Sequence, residues 1–125
     1  MAWAKTKTDL IGTASAKTTI AAGGSSESTS QDVSNAAGIL LTLNVTFPAT
    51  VTADKEVTLE IFSSPDGTNF DSEPLHTAGL ITAASTTKQI SIPVAMEAKY
   101  IKVKVINNDP SYSVDVWVAM IITSF

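Results

Sequence analysis

Few side chains in this 125-residue chain belong to the types that do covalent chemistry. There is no cysteine, which removes thiolate nucleophiles, thiolate metal sites and disulfides together. The single histidine, His76, lies between Leu75 and Thr77. It reads as a packing or surface residue, because no serine stands in a context that would join it to a histidine and an acid. Asp54, Glu56 and Glu60 are the available carboxylates for glycosidase-type acid and base work. Glu56 and Glu60 alternate with Val57, Leu59 and Ile61, however, so they fall on the wet face of a strand, where carboxylates simply meet solvent. The remaining candidate is the turn around Ser64-Pro65-Asp66-Gly67. Asp66, Asn69 and Asp71 are hard oxygen ligands clustered about a glycine, and calcium is the metal they would suit. Their spacing is not that of an EF-hand, and Asp-Gly turns form without ions, so no cofactor is expected. The chain reads as a non-enzyme.

Composition narrows the partners. The net charge is −4 and all eight basic residues are lysines. The absence of arginine counts against nucleic acid, where its bidentate contacts to base and phosphate do most of the recognition. The run Gly23–Ser30 is glycine- and serine-rich but lacks the lysine and spacing of a phosphate-binding loop, and it reads as an irregular connection. The N-terminus MAWAKTKTDLI carries no signal-peptide core, and no later stretch is long and apolar enough to span a bilayer. A soluble protein made in a cytoplasm, with no membrane partner, is therefore expected, and the Asn44-Val45-Thr46 sequon is read as chance.

The elements that hold these residues are strands. About a quarter of the chain is Ser or Thr, which suits β-structure and hydroxyl-rich loops. Ile39, Leu41, Leu43, Val45 and Phe47 alternate with Leu40, Thr42, Asn44 and Thr46, until Pro48 ends the strand. The central strand carrying Val57, Leu59 and Ile61 runs into the Pro-Asp-Gly turn, where proline presets one dihedral and glycine relieves the exit. The stretch 75–83 is a further strand, with Gly79 suggesting a bulge or bend. Ile90, Ile92, Val94 and Met96 point inward on an edge-like strand containing Pro93, and Ile101, Val103 and Val105 on the next. Asn107-Asn108-Asp109-Pro110 is a turn. The last strand turns Val114, Val116, Val118, Met120 and Ile122 inward, yet carries Trp117, Ala119 and Ile121 on its other face. Such a strand is either central or covered from outside by a loop or another chain. Eight or nine short strands, with one helical turn at 34–37 as the only helix candidate, give an all-β fold. It is expected to be a single antiparallel β-sandwich, jelly-roll-like, with residues 1–12 as an arm and edge strand and 13–125 as the sandwich. Trp3, near the terminus, either packs on its own domain or anchors a neighbour.

The stretch Glu60–Asp71, EIFSSPDGTNFD, resembles a segment that recurs in β-sandwich proteins of tailed-phage virions. There a strand enters Ser-x-Asp-Gly and then an aromatic and an acidic or hydroxyl residue. Lys99–Val105, KYIKVKV, looks like the matching late strand of such modules, and also like that of discoidin-like carbohydrate-binding sandwiches. The resemblance implies a phage structural subunit located in the virion, most readily a capsid decoration (cement) protein. Its partners would be the major capsid protein or other virion proteins and its own copies, with a trimer the natural form. Trp3, Trp117, Ala119 and Ile121 are the interface candidates. The alternative it implies is a carbohydrate-binding module, or a tail or baseplate accessory for host-surface adhesion, stacking sugars on Trp117, Tyr112 or Tyr100.

Overall fold

Alternation decides which side of each strand is buried, and two sets of buried rows meet face to face. The computed structural model describes residues 3–124, and no helix occurs among them. Its strands are β1 (Ala4–Ile11), β2 (Thr18–Ile20), β3 (Ser25–Glu27), β4 (Gln31–Asp32), β5 (Gly38–Thr46), β6 (Glu56–Ser64), β7 (His76–Ile81), β8 (Thr87–Val94), β9 (Tyr100–Asn107) and β10 (Val114–Ser124). The first sheet has the order β1-β10-β5-β8, with β2 also on β10. The second has the order β3-β9-β6-β7, with β4 also on β9. All pairings are antiparallel.

Because β1 and β2 share β10, and β3 and β4 share β9, each couple is one interrupted strand. Counted so, the sandwich has four nested pairs: β1/β2 with β10, β3/β4 with β9, β5 with β8, and β6 with β7. That nesting is the jelly-roll arrangement. The first interruption is at Gly12, whose φ is +61° and whose missing Cβ would lie 2.8 Å from both Thr18 N and Val116 O. Any other residue there would be strained and would collide with backbone.

The core is the set of inner rows. Leu41, Leu43 and Val45 of β5 face Val57, Leu59 and Ile61 of β6 and Ile101, Val103 and Val105 of β9, all completely buried. Val116 and Val118 of β10 complete it.

Four expectations change. The Gly23–Ser30 connection contains β3, which pairs Ser25–Glu27 with Ile106–Lys104. The stretch 34–37 holds turns rather than a helical turn, closed by Ala36 N–H donating to Val33 O. Gly79 sits in unbroken register opposite Thr58, so it makes no bulge. It instead leaves space for the Glu56 side chain, which lies where a Cβ would be. Met96 is not inward: β8 stops at Val94, Ala98 N–H closes a turn onto Ala95 O, and Met96 stands 59% exposed.

Loops gather at two ends. At one, which we call the polar end, Asn107 and Asp109 are fully buried. Asn107 Nδ2 donates to the carbonyls of Ile20, Ala21 and Tyr112, and its Oδ1 accepts from Asp109 N. The Asp109 carboxylate accepts from Thr52 N and Oγ1, Ser111 N and Tyr112 N. Burial pushes the Asp109 carboxyl up, but these donors outweigh it and hold the group below the usual carboxylate range. The other end, formed by 28–37, 65–75 and 95–99 with the outer ends of β1 and β10, we call the open end.

Candidate interaction surface

The outer face of the first sheet is the surface the sequence singled out. Its register places Trp117 opposite Asn44, Ala119 between Asp9 and Thr42, and Ile121 between Lys7 and Leu40. β10 is therefore central, flanked by β1 and β5, which is one of the two explanations for its doubly apolar sequence. Trp117 is fixed rather than loose. Its Nε1–H donates to Asp9 Oδ1 at 2.8 Å, and Lys7 Nζ sits 5.5 Å from the ring centroid and 3.8 Å from the same carboxylate oxygen. Cation, ring and anion thus make one assembly on the β1 side of the face. Ala119 is buried at the foot of this row, Ile121 is half-buried, and Leu40 beside it is exposed.

On the β8 side the face becomes polar. Asn44 Nδ2 donates to Gln89 Oε1 at 2.9 Å, Thr42 and Ser91 hydroxyls bond at 2.7 Å, and Thr46 bonds Thr87 at 3.1 Å. Asn44 Oδ1 is buried with no partner. The surface is thus an apolar and aromatic row bordered by a hydroxyl and amide ladder, a composition suited to docking and offering no activated nucleophile.

Trp3 lies off this row, one residue before Ala4, which pairs with Ser124 at the open end; Trp3 is 58% exposed. The structure therefore brings Trp117, Ala119 and Ile121 together and sets Trp3 apart. The expected arm at 1–12 contains β1, paired with β10 along its length; its first two residues lie outside the described residues.

The turn candidates do something else. Asp66 Oδ1 accepts from Thr68 N, Asn69 N and Ser64 Oγ, and its Oδ2 accepts from Asn69 Nδ2. These donors, Asn69 N foremost, hold the Asp66 carboxyl far below the usual carboxylate range. A calcium ion would have to displace those bonds, and Asp71 contributes its backbone N–H to Ser63 O. Gly67, at φ +80°, brings the turn against the Tyr100 ring, where a Cβ would lie 3.1 Å from Cδ1. Tyr100 is thus packed beneath the turn, with Lys99 Nζ 5.8 Å from its centroid, while Tyr112 remains exposed at the polar end. His76 Nε2 accepts from Ala95 N at 3.2 Å and ties β7 to the loop after β8. Sequence reading missed the Asn107–Asp109 cluster. Its signal was the pair of short polar side chains flanking Asn108, but turn residues look alike whether solvated or buried.

No family model and no curated protein matches this sequence. The fold, however, recurs among solved structures. The PBSX exported protein XepA matches over 96% of this chain at 12% identity and a TM-score of 0.60. This chain spans only 37% of XepA. A chain of infectious bursal disease virus, Gx strain, matches over 98% of this chain and 32% of its own, at 14% identity and a TM-score of 0.58. The SPBc2 prophage-derived protein YomS is similar in length, with 99% of this chain and 96% of that chain covered, 11% identity and a TM-score of 0.52. At these identities the likeness establishes the sandwich fold.

Proposed function

We propose that this chain is a non-enzymatic virion structural subunit, a capsid decoration protein that docks on a shell through the outer face of its first sheet. The observation that carries this reading is β10, which fills the core with one face and presents Trp117, Ala119 and Ile121 on the other. The central position of β10 goes with an apolar strand, and a docked partner would cover the part of its outer row that stays accessible. The jelly-roll sandwich, shared with prophage-derived and viral chains, supports the same reading at the level of fold. So does the employment of the candidate chemical groups, since His76 accepts a cross-sheet hydrogen bond and Asp66 shapes its turn.

The test is co-sedimentation with capsids assembled from the shell protein encoded beside this chain. Trp117→Ser removes the ring and its bond to Asp9 while leaving the inner rows untouched. A buried anchor of this kind contributes about 2 kcal/mol or more, so binding should weaken roughly thirtyfold with the fold intact by circular dichroism. A wild-type chain that fails to sediment with those capsids overturns the proposal. Glycan capture abolished by Trp117→Ser, with no capsid binding, would put host-surface adhesion in its place.

A further inference from the structure

The second sheet ends at β7, and the side of that strand facing away from β6 has no strand hydrogen-bonded to it. Backbone groups alternate sides along a strand, so the register decides which residues face that side. Thr82 N donates to Lys55 O, and Asn108 N donates to Glu56 O on the opposite flank of β6. Val57, Leu59 and Ile61 therefore turn their N–H and C=O toward Leu80, Ala78 and His76. That leaves Thr77, Gly79 and Ile81 with N–H and C=O directed outward. Among the described residues, the one bond made to them on that side runs from Lys88 Nζ to Ile81 O.

Edge strands are ordinarily blunted against pairing with other chains by charge, proline, bulges or shortness. The other edges of this sandwich show these devices. β1 carries Lys5, Lys7, Asp9 and a register shift between Asp9 and Ile11, and β8 carries Lys88 and Pro93. β2, β3 and β4 have three, three and two residues. β7 is regular and shows no charge, proline or register shift from Thr77 to Ile81. One charge does stand beside it. Gly79 has no side chain, and Glu56 occupies that space, with its Oε1 accepting from Thr58 Oγ1 at 2.9 Å. Glu56 Oε2 accepts no hydrogen bond and meets no lysine among the described residues. Ile81, on the same outer face, is 46% exposed.

We propose that β7 takes up an extended segment of another protein as a further strand of the second sheet, with a basic residue of that segment opposite Gly79. The main-chain groups of Thr77 and Gly79 and the N–H of Ile81 fix the segment. The Glu56 carboxylate over Gly79 meets the basic side chain, and Ile81 packs on an apolar residue two positions along. A second copy of β7 does not supply this, because HTAGLI contains neither lysine nor arginine. Pairing two copies about Gly79 would set two Glu56 carboxylates together, which disfavours self-association. The edge lies on the other sheet from the Trp117 row, and the proposal does not depend on a virion role.

The probe is the end-blocked heptapeptide Thr-Val-Thr-Lys-Thr-Val-Thr, which reads the same in both directions and so fits either strand orientation. Followed by NMR, amide exchange on adding it should slow at Thr77, Gly79 and Ile81. It should stay unchanged at Ala78 and Leu80, whose N–H groups already bond to β6. Thr77→Pro removes an outward N–H without losing a bond to β6, and should weaken binding roughly tenfold or more. Wild type should prefer the lysine peptide roughly tenfold over its glutamate counterpart, and Glu56→Lys should reverse that preference. The charge reversal keeps the proposal testable even where Thr77→Pro fails to fold. No binding of the lysine peptide at millimolar concentration, protection that does not alternate along β7, or a preference that Glu56→Lys leaves unchanged overturns the proposal. Slowed exchange at Thr77, Gly79 and Ile81 on concentrating the protein alone would put a second copy in the segment's place and overturn it equally.

Discussion

The two ends of the sandwich solve the same problem in opposite ways. Both must finish strands whose last backbone groups have no ladder partner. The polar end does so internally, by burying Asn107 and Asp109 and joining the 47–55, 108–113 and 21–24 loops through their hydrogen bonds. The open end leaves Trp3, Leu75 and Met96 exposed. The difference teaches that polar satisfaction and apolar exposure are separated along the strand axis. One end satisfies its own donors and acceptors, while the other leaves apolar side chains exposed.

The largest expected effect comes from breaking the polar end. Asp109→Ala strands the N–H groups of Thr52, Ser111 and Tyr112 and the Thr52 hydroxyl. At roughly 1–3 kcal/mol for each buried donor left unpaired, partly relieved by water, the loss should be about 3 kcal/mol in chemical denaturation. A loss below about 1 kcal/mol would mean the cluster is ornamental. Next comes the acid limb of stability. Asp109, Asp66 and Asp32 all have folded-state carboxyls lower than in the unfolded chain. Their contribution is therefore complete above the unfolded value near pH 4 and is lost as pH falls through the folded values. Wild type should destabilise progressively below about pH 4. Asp66→Asn, which keeps one acceptor in the turn but no charge, should flatten part of that limb by lowering stability at neutral pH toward its acid value. An acid limb unaltered by Asp66→Asn would remove Asp66 from this account. The smallest effect belongs to the open end: Met96→Ser should change stability by less than about 0.5 kcal/mol, as measured by thermal unfolding. A larger loss would show that the fold relies on the open end as much as on the polar one.

Much of this was legible in the residues. Strict alternation assigned the buried rows of β5, β6, β9 and β10, and Pro93 marked β8 as an edge, because period two depends only on neighbours in the chain. What depended on distant partners was not legible. Trp117 could be placed on an outer face, but its bond to Asp9 joins positions 108 residues apart. The alternation of β8 carries on to Met96 in sequence, although the strand itself ends two residues earlier. A hollow lined by Thr6, Val33, Ala36 and Ile122 could not be read at all, since it joins residues far apart in the chain. Gly79 was misread because its function is set by Glu56, the residue that occupies its missing side chain's space across the strand pair.

The nesting of the strands also has a consequence for how the chain is made. β10 lies between β1 and β5, so the first sheet cannot close until that last strand has left the ribosome. Until then β1 and β2 have no partner, and β5 can pair only with β8. Closure of the first sheet therefore waits on β10, at the millisecond-to-second pace of folds built from distant pairings. Throughout that interval unpaired apolar strands stand open to aggregation. The Trp117 row also requires β10, so that surface does not exist before β10 has been made.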